Sequence, residues 1–285
     1  MKYLITGKNG QLAKEFIRRL QQDSQEVAAP EERDLDITNS RIVADTVRSF
    51  RPDVILNCAA YNAVDKAEQD PAAAFRVNAD GPRNLARAAS GVQARFVHFS
   101  SDYVFDGLKE NGLYTEQDAV HPLNEYGKSK LAGERAAVEE CGRATVFRLS
   151  WVFGPGKQNF IYKLGEWAKT NDYLKVSCDE FSVPTSTRDV VAVTMRALSQ
   201  GMTGCFHLTN SGYCSRYEWA KLVLAGLAIN KFIRPMPMDS FNLPAPRPKF
   251  SAMSNRTIST ALGMTIPSWE EAVATYLREG GLTSE

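Results

Sequence analysis

Thr6-Gly7-Lys8-Asn9-Gly10-Gln11-Leu12-Ala13 follows a short apolar run, Tyr3-Leu4-Ile5, and leads into an amphipathic stretch from Gln11 to Gln22. Strand, glycine turn and helix, in that order, are how a dinucleotide-binding βαβ unit begins. The two glycines permit a tight turn and close backbone approach to a ligand. The helix start then presents unpaired N–H groups and the positive end of the helix dipole, which suits a pyrophosphate. The spacing is G-x-x-G-x-x-A, not the G-x-G-x-x-G of ordinary dehydrogenases. A glycine turn without a ligand would look alike; its place after the first strand favours the nucleotide.

Outward from that turn, apolar runs alternate with helical patterns. Glu26–Ala28, Asp53–Asn57, Phe96–Ser100 and Ala144–Ser150 read as strands. Ser40–Phe50, capped by Asn39 or Ser40, Pro71–Ser90 and Asn124–Cys141 read as helices. The alternation predicts an α/β fold: a Rossmann-type doubly wound parallel sheet with helices on both faces. After Trp151 the pattern loosens. Helices are expected at Asn159–Thr170, Ser186–Gln200 and Tyr217–Ala228, and strands at Leu174–Cys178 and Gly204–Leu208. Pro235–Pro248, with five prolines, reads as an irregular loop. Residues 1–150 therefore form the expected nucleotide domain and 151–285 a smaller C-terminal substrate lobe, with an interleaved boundary.

The 285 residues carry 34 basic and 33 acidic side chains. That balance gives no basic footprint for nucleic acid or an anionic membrane surface. No stretch approaches the ~18 apolar residues of a membrane span, and the first residues lack the apolar run of a signal peptide. Cys58, Cys141, Cys178, Cys205 and Cys214 form no C-x-x-C, so no disulfide framework is expected and a cytoplasmic setting fits. His98, His121 and His207 show no metal-ligand spacing.

The second strand is followed by Pro30-Glu31-Glu32-Arg33-Asp34. An acidic residue there would take the ribose hydroxyls of NAD and a basic one the 2′-phosphate of NADP. Both signs are present, so NADH and NADPH stay open. Small residues in Asn57-Cys58-Ala59-Ala60-Tyr61 let a cofactor lie against the third strand, or simply suit tight helix–sheet packing. Ser100-Ser101-Asp102 closes the fourth strand, and Tyr126-Gly127-Lys128-Ser129-Lys130 starts a helix. Tyr126 and Lys130, four apart, share a helix face. A phenol with a pKa near ~10 is a poor acid at neutral pH, and a nearby ammonium lowers it. Tyr126 is the candidate general acid, Ser101 the hydroxyl for a developing alkoxide, and Lys130 the tuning cation. Tyr-x-x-x-Lys is common on amphipathic helices; its order after the glycine turn and the Ser101 strand end is not.

These residues resemble the extended short-chain dehydrogenase/reductase superfamily, and within it the dTDP-4-dehydrorhamnose reductase family. The likeness runs through Gly7–Leu12, Leu35-Asp36-Ile37-Thr38, Asn57–Tyr61, Val64-Asp65-Lys66-Ala67-Glu68, Ser101–Gly107, Asn124–Glu134, Ser150-Trp151-Val152-Phe153-Gly154, Pro184-Thr185 and Arg247-Pro248 with Ser251. The resemblance implies that Gly7, Gly10, Gln11 and Leu12 cradle the pyrophosphate and that Asp36 and Ile37 border the adenine. It implies that Ala59, Ala60 and Tyr61 line the cofactor, with Asn78 on the nicotinamide side, and that Ser101, Tyr126 and Lys130 form the triad, Lys130 also holding the ribose. Tyr103, Val104 and Trp151 would contact the sugar, Trp151 offering an apolar face to the ring. Arg247 would reach the diphosphate. Trp151 also reads as a core residue, and Arg247 as a solvated loop arginine. A homodimer is a further family expectation. Some members bind Mg²⁺ through glutamates; Glu15 matches one such position, but reads as an exposed helix residue.

Three features depart from the family pattern. Ala13 replaces the usual third glycine, Glu180 and Ser182 replace the usual Gln and Gly, and the second strand leaves the cofactor choice open. Two other functions compete. Sugar-nucleotide dehydratases or epimerases share the fold, but dehydratases place Asp-Glu after the triad hydroxyl where this chain has Asp102-Tyr103. The non-catalytic regulatory β subunit of methionine adenosyltransferase also resembles the family.

Overall fold

The computed structural model describes residues 1–280. It runs β1 (Lys2–Thr6), α1 (Gln11–Gln22), β2 (Glu26–Ala28), α2 (Ser40–Phe50), β3 (Val54–Asn57), α3 (Val64–Gln69) and α4 (Pro71–Phe75). A π-helical turn at Arg76–Asp80 leads into α5 (Gly81–Gly91), then β4 (Arg95–Ser101), a 3₁₀ turn at Asp102–Val104, α6 (Glu125–Glu140) and β5 (Ala144–Leu149). The remainder is β6 (Val152–Phe153), α7 (Phe160–Thr170), β7 (Leu174–Ser177), β8 (Phe181–Ser182), β9 (Thr185–Ser186), α8 (Thr187–Ser199) and β10 (Gly204–His207). It ends with β11 (Cys214–Ser215), α9 (Arg216–Gly226), β12 (Ile233–Met236), a 3₁₀ turn at Met238–Phe241, α10 (Arg256–Leu262) and α11 (Trp269–Arg278).

The central sheet has six parallel strands in the order β2-β1-β3-β4-β5-β10. Chain direction across the sheet reverses between β1 and β3, and ligands of such sheets sit beyond the strand ends at that switch point. The side beyond β1 holds one strand, where the 3-2-1-4-5-6 order of the dinucleotide fold has two. β3 and β5 are buried at every residue, as strands covered on both faces should be. Phe16 and Leu20 of α1 join Val190 and Val193 of α8 and Ile258 of α10 on one face. Val43, Val47, Leu85, Ala86 and Ala137 of α2, α5 and α6 cover the other. A separate core of Phe153, Ile161, Leu164, Trp219, Val223 and Val273 builds the lobe. Fully burying one such side chain stabilises by about 1.5–3 kcal/mol.

The helix ends are set locally. The side chains of Asn39, Asn124, Asn159 and Ser186 accept from N–H groups in the first turns of α2, α6, α7 and α8. Three sequence expectations change. Gly204–His207, assigned to the lobe, is the edge strand of the central sheet, paired with β5, and α8 packs on α1. The helix expected over Pro71–Ser90 is broken by the π turn. Pro82 has no N–H to give the Asn78 carbonyl, so the α ladder cannot close there, and Gly81 N–H bonds to Arg76 O instead. The proline-rich segment begins as β12, whose Pro235 is tolerated beside Val176 in a two-stranded edge pairing, before becoming irregular.

Candidate active site

Gly7 adopts φ +67°, and a Cβ there would lie 2.7 Å from the Ala59 nitrogen and 2.8 Å from the Cys58 carbonyl carbon. Only glycine lets the β1 turn lie this close to the end of β3. Gly10 N–H bonds to Gly7 O at 2.9 Å, and α1 starts without a side-chain cap. Its first N–H groups and dipole therefore face the switch point. Thr6 Oγ1 donates to Asn57 Oδ1 at 2.7 Å, and Asn57 Nδ2 meets His98 Nδ1 at 3.1 Å, tying the ends of β1 and β3 to the middle of β4. The buried His98 imidazole is held well below its usual pKa, by burial first and the Lys130 charge second. Beside the turn, Asn9, Glu31, Glu32, Arg33, Asp36 and Ile42 line a groove of about 840 Å³. Glu31 pairs with Lys8 at 2.8 Å and accepts from Asn9 at 3.0 Å.

At the other end of the crevice, β4 delivers Ser101 and the first turn of α6 delivers Tyr126. Asn124 Oδ1 accepts from Gly127 N–H at 2.7 Å, fixing where α6 begins. A Cβ on Gly127 would lie 2.2 Å from Tyr103 O, so its absence seats α6 against the 3₁₀ turn. Tyr126 and Lys130 are buried, at 8% and 2% exposure. Lys130 Nζ donates to Phe99 O at 2.6 Å. The Tyr103 ring meets Tyr126 edge-on at 5.7 Å, and the Tyr126 hydroxyl reaches Asn62 Oδ1 at 3.5 Å. Burial pushes the Tyr126 phenol up to about 12, with a hydrogen bond to the Ser101 hydroxyl opposing and the Asp102 charge adding. Burial pushes Lys130 down to about 8, with Glu134 opposing. The expected lowering of the phenol by Lys130 is therefore not found. Desolvation sets the direction, and the hydrogen bond with Ser101 is what favours phenolate.

A cleft of about 480 Å³ opens at Tyr103, whose ring meets Tyr126, and is lined further by Trp151, Lys163, Glu180, Arg216 and Arg247 among others. Trp151 holds φ +39°, a strained conformation for a bulky residue. The Arg216 guanidinium lies 3.6 Å from the centre of its ring and pairs with Glu180 at 3.3 Å.

The sequence matches a family model described as the RmlD substrate binding domain over residues 1–281. The chain belongs to that family. It is 37% identical to a dTDP-4-dehydrorhamnose reductase of Burkholderia thailandensis, over 98% of this chain and 99% of that one. Among solved structures, a dTDP-4-dehydrorhamnose reductase of Clostridium acetobutylicum superposes with a TM-score of 0.95 at 38% identity, covering 98% and 99% of the two chains. The Bacillus anthracis dTDP-4-dehydrorhamnose reductase in complex with NADP gives 0.94 at 33% identity, with the same coverage.

For this RmlD-family chain the structure gathers Ser101, Tyr126, Lys130 and Tyr103 at one end of the crevice and Gly7, Gly10, Ala59 and Ala60 at the switch point. Asn78 receives Tyr61 N–H at 2.8 Å and donates to Tyr61 O at 3.0 Å and to Ser129 Oγ at 3.0 Å, so it holds the β3 loop against α6. Asp36 lines the groove, but Ile37 is buried in the core against Gly81, and Ile42 takes the groove rim. Leu12 also points into the core, leaving its backbone at the helix end. Gln11 reaches away from the turn, donating to Val152 O at 3.0 Å. Val104 is fully buried with Phe105, Tyr114, Leu131 and Met253 and lines none of the cleft. One Trp151 face already carries Arg216. Arg247 is held by Asp65 at 2.8 and 3.0 Å. Sequence reasoning missed Asn62 and Arg216, which carry no motif of their own; Glu180, marked there as a departure from the family pattern, lines the cleft.

Glu15 is buried, not exposed, and both its carboxylate oxygens accept from Arg18. Glu279, beside it in a groove of about 1020 Å³, is likewise taken by Arg188. Among the described residues no group of three His, Cys, Asp or Glu side chains comes together as a metal site. A Mg²⁺ ion does not fit this arrangement, since guanidinium groups occupy the oxygens it would need.

Lys130 gives a pH expectation. Its charge is present below about 8 and lost above. kcat/KM should fall as pH rises through that value, because this parameter reports the free enzyme. Lys130→Met should lower the rate about tenfold or more, the scale of losing a charged hydrogen bond. It should also remove that limb from the pH–rate profile. A limb unchanged in the variant refutes the assignment.

Proposed function

We propose that this chain reduces the C4 ketone of dTDP-4-dehydro-L-rhamnose, or a close nucleotide-linked 4-keto-6-deoxysugar, to the alcohol, dTDP-L-rhamnose in the first case, with NADPH or NADH. The observation that carries the reading is the buried Ser101, Tyr126 and Lys130 group, at the same C-terminal edge of the parallel sheet as the uncapped glycine turn. The crevice fits the cofactor: Gly10 leaves room over the α1 start, where an added Cβ would meet only Gly7 O, at 3.2 Å. When bound, the reduced nicotinamide supplies hydride. Gly7, Gly10 and the first N–H groups of α1 would hold its pyrophosphate. Lys130, with one of its three protons on Phe99 O, has two for the ribose hydroxyls. Tyr126, protonated at neutral pH, gives its proton to the C4 oxygen, and Ser101 hydrogen-bonds that oxygen as charge develops.

Tyr103 in place of a second carboxylate argues against elimination of water, because the Asp-Glu pair that dehydratases place after the triad hydroxyl is not there. Arg216 and Arg247 line the cleft where a diphosphate would lie, each already paired with a carboxylate, Glu180 or Asp65, that the diphosphate would have to displace or share. Trp151, Phe160 and Trp219 add apolar surface for sugar and base. A homodimer and a cytoplasmic setting belong to the same reading, and neither is needed for the chemistry.

The test is loss of reduced-nicotinamide absorbance when purified protein meets dTDP-4-dehydro-L-rhamnose and other nucleotide-linked 4-keto sugars, with NADH and NADPH in parallel. Oxidation that requires the keto sugar is expected. No oxidation with any of them would leave the regulatory-subunit reading.

A further inference from the structure

Asp102 is buried where the catalytic end of β4 meets the lobe, and the reduction described above gives it no role. Three hydroxyls surround its carboxylate. Ser101 Oγ donates to Oδ1 at 3.1 Å, and Ser182 and Ser251 donate to Oδ2 at 2.8 and 2.5 Å. Ser182 and Ser251 also meet each other at 3.1 Å. Among the described residues no guanidinium or ammonium pairs with Asp102. A buried carboxylate without a cation is costly unless hydrogen bonds compensate, so these hydroxyls hold it in place.

The arrangement bears on Ser101, which has one proton to give. While that proton lies on Asp102, the Ser101 oxygen only accepts: one lone pair takes Tyr103 N–H at 3.2 Å and the other is left to the Tyr126 hydroxyl. To hydrogen-bond a ketone oxygen, Ser101 must turn its proton away from the carboxylate. The bonds from Ser182 and Ser251 keep Asp102 satisfied when it does. Ser182 stands where the family resemblance has glycine, so part of this arrangement is particular to this chain.

We propose that Asp102 is a positioning residue that competes with the substrate for the Ser101 proton, and that Ser182 and Ser251 tip the competition toward the substrate. This rests on the reductase reading. The titratable groups facing Asp102 are Glu180 of the lobe and the phenols of Tyr103 and Tyr126. Burial pushes Asp102 up to about 6, with Ser251, Ser182 and Ser101 opposing and Glu180 adding. Below that value Asp102 is neutral and Ser101 donates freely. Above it the carboxylate competes, so kcat steps down to a lower plateau as pH rises, before the Lys130 limb begins.

The experiment is the pH dependence of kcat and KM for wild type, Ser182→Ala, Ser251→Ala, Asp102→Asn and the Asp102→Asn/Ser251→Ala double variant. Ser251→Ala removes a donor from the carboxylate, so its step should move to higher pH and deepen to about tenfold, with KM within about twofold of wild type. Ser182→Ala should move the step the same way. Asp102→Asn should abolish the step, and Ser251→Ala should then have no further effect on kcat. Three results would overturn the proposal: a step retained in Asp102→Asn, a step unmoved in both serine variants, or a full Ser251→Ala effect in the Asn background. Stability lost without these shifts would mean a purely structural cluster. If Asp102→Asn does not fold, the two serine variants decide alone. The ¹³C titration of the Asp102 carboxyl needs no turnover, and its midpoint should rise in Ser251→Ala. Wild-type inactivity would sink the reductase reading only, whereas an unmoved carboxyl midpoint would sink this one.

Discussion

Tyr126→Phe should leave a folded protein whose kcat is lower by about 10²–10⁴-fold, the range a positioned general acid contributes. At 1.36 kcal/mol per tenfold this is about 3–5 kcal/mol of transition-state stabilisation. The ring is what the fold uses: it packs with Ala67 and Ala74 and against Tyr61, Val64 and Tyr103, all of which Phe preserves. The hydroxyl contributes little to packing, with only the 3.5 Å contact to Asn62 and the bond to Ser101. Unfolding midpoints should therefore agree closely while turnover collapses, and KM should change little because the proton moves only in the transition state. With the phenol pushed up to about 12, wild type keeps it protonated throughout the neutral range, so any basic limb near 8 belongs to Lys130. Single-turnover rates with a nucleotide-linked 4-keto sugar measure this directly. Equal rates for wild type and variant would remove Tyr126 from the chemistry.

What the sequence made legible follows from the range of each signal. Helix starts at Ser40, Glu125, Phe160 and Thr187 are written in the preceding Asn or Ser, whose side chain bonds backbone two or three residues on. The glycine turn is equally local. Strand β10 was misplaced because its membership of the sheet depends on pairing with β5, which no neighbouring residue encodes. The π turn did leave a trace, since Gly81-Pro82 inside an alanine-rich helix removes the donor for Asn78. In the site, the positions of Ser101, Tyr126 and Lys130 were readable because spacing on one helix and the end of one strand set them. The side chains of Ile37 and Val104 fill the core for one reason: an apolar residue inside a binding motif is as apt to fill the core as to line a ligand, and both are buried. Arg216 was invisible because the cleft is assembled from separate segments of the lobe.

Gly133→Ala tests how closely that machinery is packed. By helix propensity alone the change should help, since alanine is favoured over glycine in a helix by up to about 1 kcal/mol. The surroundings reverse the sign. A Cβ at Gly133 would sit 2.0 Å from Asn78 O and 3.2 Å from His98 Nε2. The first is a backbone oxygen of the π turn, so no rotamer change can clear it. That oxygen is exposed to α6 because Pro82 cannot bond it. Either α6 must withdraw from α5 or the π turn must shift, and overpacking of this kind costs about 3 kcal/mol or more. Both movements reach the active site. α6 carries Tyr126 and Lys130 in the two turns before Gly133, while Asn78 clamps both the Tyr61 backbone and Ser129. Gly133→Ala should therefore lower the denaturation midpoint and kcat together, unlike Tyr126→Phe, which separates them. Gly142→Ala is the internal control, because a Cβ there meets nothing within 4 Å. It should match wild type in both measurements. A Gly133→Ala protein as stable and active as wild type would show that α6 and the π turn are not in the contact from which the whole catalytic face is hung.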